Sequence, residues 1–210
     1  MLQESALLSF VASLLSIMNP LGNAGIFATV TADQSDKRAR RTALMCAVAV
    51  AVTLLIVTWA GTAVLAFFGI TVNALRVAGG LIVLLIGLHM LFNKSEHKQS
   101  SDEADDAQAR DSVAVVPMAI PIVAGPGTMA AVLVAAQQHH SVLSKAEMSI
   151  VVVVLSALTG AVFAFAKPIA EWLGASGMGV ITRVMGMILA SIAVGMLSDG
   201  LKALMPGLAG

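Results

Sequence analysis

Two clusters of proline, glycine and polar residues interrupt apolar segments of this chain, and their residue types could do chemistry inside a membrane. The clusters are Asn19-Pro20-Leu21-Gly22-Asn23 and, within residues 117–129, Ala124-Gly125-Pro126-Gly127-Thr128. Proline lacks an amide hydrogen and crowds the carbonyl four residues back, so each cluster should open the hydrogen-bond ladder of a helix. In hydrocarbon, the freed backbone groups are costly unless protein, water or a ligand satisfies them.

Backbone groups at such openings can bind both ends of a zwitterion. Free N–H donors are expected at Gly22, Asn23 and Ala24 after the first break and at Gly127, Thr128 and Met129 after the second. Asn23 is able to cap the restarting helix, and Thr128 adds a hydroxyl. Positive helix starts attract a carboxylate, whereas freed carbonyls such as those of Ser16 and Ile122 can hold an ammonium or a cation. The sequence therefore favours a small amino acid, with prolines that merely kink packed helices as the alternative.

The spacing of these clusters indicates an internal duplication. Pro20 and Pro126 lie 106 positions apart, and the helix starts Arg76-Val77-Ala78-Gly79 and Arg183-Val184-Met185-Gly186 lie 107 apart. Charges inside a membrane are costly enough to suggest a function, but an arginine near a helix end can also extend to the interface. We assign Arg76 and Arg183 a gating or structural role.

The elements that must position these residues are membrane helices. The chain is 58% hydrophobic and only 11% charged, which is typical of a polytopic membrane protein rather than a soluble one. Apolar runs predict spans at about 5–31, 42–68, 74–92, 113–136, 146–166 and 178–197. The predicted fold is all-α, with six transmembrane helices in two inverted three-helix repeats (1–92 and 113–210), broken first and fourth helices, and a polar cytoplasmic linker at 93–112.

Charge bias sets the orientation of this arrangement. Three crossings per repeat force the second repeat to enter from the opposite side. With both termini outside, the cytoplasmic connections hold Lys37, Arg38, Arg40, Arg41, Lys94, Lys98, Arg110 and Lys167. The outer connections hold far fewer basic residues, so the sequence predicts that both termini lie outside.

Several other functions lack support in the sequence. The formal net charge is +0, which gives no electrostatic case for nucleic acid. His139 and His140 are adjacent rather than four residues apart, so we expect no metal site and no cofactor. No nucleophile–base pair or catalytic motif occurs, so we expect no enzyme. Cys46 is the only cysteine and lies in an apolar run.

Taken together, the two broken segments and the two arginine-led helix starts resemble the MarC family, also labelled UPF0056. The resemblance implies a bacterial or archaeal inner-membrane protein related to six-span neutral amino acid transporters, and it carries over no catalytic residue. We therefore predict a transporter of a small neutral solute, working by alternating access, with the lipid bilayer and the solute as partners. The predicted substrate-binding residues are Asn19, Pro20, Gly22, Asn23, Gly125, Pro126, Gly127 and Thr128. A non-transporting scaffold is the alternative, and a homo-oligomer stays open.

Overall fold

The computed structural model describes residues 4–92, 123–139, 141–205 and 207, and its regular elements there are seven α-helices. They are α1 Glu4–Met18, α2 Pro20–Val30, α3 Asp36–Phe67, α4 Val72–Phe92, α5 Pro126–Gln138, α6 Val142–Ala164 and α7 Ala166–Leu204. Five stretches are long and apolar enough to cross a membrane: α1 and α2 together, α3, α4, α6 and α7. The prediction of an all-α polytopic membrane protein is therefore confirmed.

The predicted fourth span and the linker fall partly or wholly outside the described residues. The span was placed at 113–136, and its described part is α5, which has 13 residues. A helix of that length measures about 20 Å, less than the ~30 Å hydrocarbon core. The linker at 93–112 lies entirely outside the described residues. Five candidate spans are thus described, and a sixth crossing stays a prediction.

One predicted boundary is wrong, because α3 extends through residues that we expected to be a connection. Ser35 caps α3 by accepting a hydrogen bond from the Arg38 amide at 3.4 Å. The basic segment at 37–41 is therefore helical. Residues 166–204 are helical on both sides of a kink, with Pro168 in the first turn of the shorter part, where a proline needs no amide hydrogen. The kink is at Gly174, whose φ 63° and ψ 179° are not helical, so the last long helical part begins just after Gly174, close to the predicted start at 178.

The long helices pair across the two parts of the chain in antiparallel fashion. In α3 and α6, Ala47 lies against Gly160, whereas the Trp59 indole donates to the Ser149 hydroxyl at 3.1 Å. In α4 and α7, Val77 lies against Gly200, and Gly87 lies against Gly186. As residue numbers rise along one helix, they fall along its neighbour. Helices α3 and α4 therefore run opposite to α6 and α7.

Small residues let α4 and α7 approach closely. A Cβ placed on Gly87 would lie 2.9 Å from the Gly186 carbonyl oxygen, and a Cβ on Gly186 would lie 2.8 Å from the Gly87 carbonyl oxygen. A larger residue at either position would push the two helices apart, and small residues are common where membrane helices pack. Exposed apolar side chains form a stripe on α3, at Leu44, Val48, Val52 and Ile56. This four-residue spacing gives α3 a lipid-facing surface.

Candidate functional site

The first break separates α1 from α2 at a single residue, Asn19. Its backbone is left-handed, with φ 45° and ψ 59°, a conformation that asparagine tolerates better than most residues. Its side-chain oxygen accepts a hydrogen bond from the Gly22 amide at 3.1 Å, and Pro20 occupies the first helical position. Asn19, not Asn23, therefore caps α2. The signal was available, because the residue before a proline avoids helical geometry and asparagine is a preferred N-cap.

Asn23 instead closes the end of α1. Its side-chain amide donates to the Met18 carbonyl at 3.0 Å. In a continuous helix that carbonyl would accept from the Gly22 amide, which here is turned to Asn19. Two asparagine side chains thus replace one backbone hydrogen bond. The break is maintained without leaving the Met18 carbonyl unsatisfied.

At the second break, too, a side chain replaces a backbone hydrogen-bond donor, but the residues are different. Gly125 precedes α5 in an extended conformation without a side-chain cap, and Pro126 again occupies the first turn. The Thr128 hydroxyl donates to the Val123 carbonyl at 2.8 Å. In a continuous helix this carbonyl would accept from the Gly127 amide. Asn23 and Thr128 therefore do the same thing: each donates a side-chain hydrogen bond to the carbonyl five residues back.

The two glycines that follow the breaks are needed for different reasons. A Cβ at Gly22 would lie 2.6 Å from the Asn19 side-chain oxygen, so a larger residue would disrupt the cap. A Cβ at Gly127 would overlap the Val83 side chain on α4. Gly22 thus serves the local turn, and Gly127 allows α5 to pack closely on α4.

Helix α4 lies beside both breaks. The Asn19 side-chain nitrogen lies 3.7 Å from the Met90 sulfur, and Gly127 contacts Val83. Met90 and Val83 are seven residues apart, or about 10 Å along the helix axis. Ile17, which precedes the first break, also packs in one apolar cluster with Val83. The structure therefore brings the two predicted site segments to neighbouring positions on one helix.

Most of the predicted site residues are buried. Asn19 is 2% exposed, Asn23 9% and Thr128 2%. Pro20, Gly22, Gly125 and Gly127 are also buried, whereas Pro126 is exposed. A solute could therefore reach these residues, except Pro126, only after a change in conformation.

The two predicted arginines lie apart from the breaks and in different surroundings. Arg76 is half-buried in the second turn of α4 and lines a cavity. Arg183 is exposed on α7, nine residues after Gly174. Their matching sequence positions thus do not give matching environments.

The cavity beside Arg76 has a volume of about 460 Å³ and lies between α1, α4, α5 and α7, with Met148 of α6 at one wall. Its polar lining consists of Ser9, Ser13, Arg76, Gln138, His139 and Asp199. On α1 it extends from Ala6 to Ile17, about 16 Å along the helix, and ends next to the first break. Of these residues only Arg76 was predicted as functional. Ser9 and Ser13 share one face of α1 by their four-residue spacing, which was the one signal in the sequence.

Comparison with known proteins identifies the family. A family model described as MarC family integral membrane protein matches residues 4–205. The chain belongs to the MarC family. Its family resemblance, predicted from the two broken segments and the arginine-led helix starts, is thereby confirmed. This MarC protein is an integral multi-pass membrane protein, and no enzymatic family is indicated.

Relatives of this MarC protein occur in bacteria and archaea. UPF0056 membrane protein YvbG of Bacillus subtilis is 37% identical over 92% of this chain and 93% of its own length. UPF0056 membrane protein YhcE of Escherichia coli is 30% identical over 95% of this chain and 93% of its own. UPF0056 membrane protein MJ1677 of Methanocaldococcus jannaschii is 31% identical over 91% of this chain and 93% of its own length. No solved structure matches the chain.

Metal chemistry finds no support in the described part of this MarC protein. Within those residues, no group of three or more His, Cys, Asp and Glu side chains could hold a metal ion. The site consists of backbone carbonyls, amides and uncharged side chains at the breaks, with opposite charges only in the cavity.

Proposed function

We propose that this MarC protein transports a small neutral solute, with a neutral amino acid as the favoured substrate, by alternating access around the two helix breaks. The observation that carries the proposal is a matched pair of hydrogen bonds, in which the Met18 and Val123 carbonyls each accept from a side chain in place of a backbone amide. At each break, a side chain satisfies a carbonyl that the backbone has released. Discontinuous helices of this kind are typical of substrate sites in secondary transporters.

The transport proposal includes six spans in two inverted repeats, 1–92 and 113–210, joined by residues 93–112. Antiparallel pairing of α3 with α6 and of α4 with α7 supports it, because equivalent helices of inverted repeats run in opposite directions. Each short helix after a break also packs on the last long helix of the other repeat. Gly25 of α2 lies against Met178 of α7, and Gly127 of α5 lies against Val83 of α4.

We place the protein in the bacterial inner membrane with both termini on the periplasmic side. Basic residues at the start of α3 and Lys167 at the start of α7 then lie on the cytoplasmic side, as the positive-inside rule expects. Their proximity supports this placement, because the Lys167 ammonium donates to the Gln34 carbonyl at 2.7 Å and to the Ala32 carbonyl at 3.2 Å.

The proposed binding step exchanges internal hydrogen bonds for bonds to substrate. An ammonium group would replace the Asn23 amide at the Met18 carbonyl, or the Thr128 hydroxyl at the Val123 carbonyl. The amino ends of α2 and α5 would attract the carboxylate. Each internal bond contributes about 1 kcal/mol net, so the exchange costs little when the substrate supplies an equivalent donor. Asn19, Pro20, Gly22, Gly125, Pro126 and Gly127 hold the two openings in the required geometry.

Flux through reconstituted protein tests the proposal. Liposomes that contain the purified protein would be supplied with a panel of labelled neutral amino acids, with and without sodium and proton gradients. The proposal expects saturable, protein-dependent uptake of at least one of them. Uptake no greater than in protein-free liposomes, for every solute and gradient, would contradict it.

A non-transporting membrane scaffold is the second candidate. Its support is the burial of Asn19 and Thr128, whose side chains bond within the protein. A scaffold needs these positions to stay dry, whereas a transporter must expose them to water during its cycle. Reaction of cysteines placed at Asn23 and Thr128 with thiol reagents from each side of the membrane separates the two.

A further inference from the structure

We propose that the cavity between α1, α4, α5 and α7 is an entry site for a zwitterion, in which Arg76 binds the carboxylate and Asp199 binds the ammonium. We call this cavity the vestibule; its polar lining is the set of six residues given above. The choice of solute rests on the proposed transport function. The site itself is distinct from the helix breaks and lies on different side chains.

The packing of α4 on α7 brings the two charges to one side of the vestibule. A Cβ on Gly200 would lie 3.1 Å from the Asn73 carbonyl oxygen and 3.2 Å from the Val77 nitrogen. Asp199 and Arg76 immediately precede Gly200 and Val77 in the sequence, so both stand at this crossing. Both side chains line the same cavity.

In the described ranges, neither the Arg76 guanidinium nor the Asp199 carboxylate is paired with another residue. There, Arg76 and Asp199 form no ion pair within 4.0 Å and no side-chain hydrogen bond, with each other or with another residue. Opposite charges that share a cavity without touching leave room for a ligand that carries both signs. A zwitterion satisfies the guanidinium and the carboxylate at once, whereas a singly charged solute satisfies only one of them.

The size of the vestibule suits a small amino acid. Its volume of about 460 Å³ lies in the range of ligand sites. A small amino acid would fit with several waters retained. The Ser13 hydroxyl and the Gln138 amide supply further polar contacts, and Leu14 and Ile17 offer an apolar surface for a short side chain.

The vestibule also leads toward the first break. Its lining on α1 ends at Ile17, next to Met18, whose carbonyl accepts from Asn23. A solute held at Arg76 would therefore wait about two turns of α4, or roughly 10 Å, from Val83, which packs with Ile17 next to the break. This arrangement makes the vestibule the first of two binding positions along one path.

A thiol-protection experiment on the full chain, purified in detergent, tests the vestibule without measuring transport. Ser13→Cys places a reactive thiol on the vestibule wall, and wild type supplies the background because its only cysteine, Cys46, is buried. Alanine should slow alkylation, whereas propanoate and ethylamine, each lacking one of the two charges, should protect less. Arg76→Gln and Asp199→Asn should each abolish protection by alanine. Lys202→Gln, on an exposed residue of the same helix end, should leave protection unchanged.

Two thiol reagents of opposite charge test the electrostatic part separately. A unit charge about 7 Å away in a water-filled site changes each alkylation rate about three-fold, in opposite directions for the two reagents. Arg76→Gln should therefore lower the anionic-to-cationic rate ratio about ten-fold, and Arg76→Lys should largely keep it. Ser9→Cys provides a second position if Ser13→Cys does not fold.

The outcomes distinguish the vestibule from the transport proposal. The vestibule proposal would be overturned if the thiols of Ser13→Cys and Ser9→Cys both failed to react with either reagent. It would also be overturned if alanine still protected the thiol after Arg76→Gln. Alanine protection that depends on both charges, in a protein that moves no solute through liposomes, would support the vestibule and contradict transport.

Discussion

Thr128→Val tests whether the second break depends on its side-chain hydrogen bond. The Thr128 hydroxyl donates to the Val123 carbonyl at 2.8 Å, and the side chain is 2% exposed. Valine keeps the branched shape and removes only the donor. Since α5 begins at Pro126, the amide that would otherwise reach this carbonyl lies in the unbonded first turn. The substitution therefore leaves a buried carbonyl without that donor.

Thr58→Val is the matched control for this loss. The Thr58 hydroxyl donates to the Leu54 carbonyl at 2.7 Å and is equally buried, but it lies in the middle of α3. There the carbonyl keeps its ordinary helical bond from the Thr58 amide. Losing a hydroxyl that only adds to an existing bond should cost less than about 0.5 kcal/mol, because such back-bonding stabilises helices little. Leaving the buried Val123 carbonyl without a hydrogen-bond donor should lower the free energy of unfolding by about 1–2 kcal/mol.

Unfolding of the purified variants in mixed micelles, followed by circular dichroism, measures the difference. The free energy of unfolding should fall in the order wild type, Thr58→Val, Thr128→Val, with a gap of about 1 kcal/mol between the two variants. Equal losses in the two variants would refute the inference that the side chain replaces a missing backbone bond.

Two further substitutions test the first break and the contact between α4 and α7. Asn19→Ala should lower the free energy of unfolding by about 2 kcal/mol, since alanine loses the cap on Gly22 and disfavours the left-handed backbone. Asn19→Gly should cost well under 1 kcal/mol, and equal losses in the same unfolding assay would contradict this account. Gly87→Ala should cost about 1–3 kcal/mol because its Cβ would meet the Gly186 carbonyl. A Cβ at Gly195 would have nothing within 4 Å, so Gly195→Ala should leave the free energy of unfolding unchanged. An equally small effect of Gly87→Ala would contradict the close contact between α4 and α7.

The positions of the breaks could be predicted from sequence because proline acts locally. Pro20 and Pro126 lack an amide hydrogen wherever they stand, and each one begins a helix in the structure. The cap could not be assigned as easily. Asparagines flank Pro20 on both sides, and only the left-handed backbone at Asn19 decides which of them accepts from Gly22.

The vestibule could not be predicted, because four helices build it from residues far apart in the chain. Ser13, Arg76, Gln138 and Asp199 show no common spacing, and each alone resembles an ordinary helix-end residue. The interruption of α7 was easier to predict, because the run Gly174-Ala175-Ser176-Gly177 is typical of a turn and the kink lies at its first residue.

Amino acid flux in liposomes that carry Pro126→Ala tests the central claim most directly. Alanine restores an amide hydrogen at the second break and removes the ring that keeps it open, without placing a bulky group in the core. The control is Pro168→Ala, which changes an equally exposed proline in the first turn of α7 that belongs to neither break. The account predicts that Pro126→Ala loses most uptake at unchanged protein yield and that Pro168→Ala keeps it. Equal uptake by both variants and wild type would contradict a transport site at the helix breaks.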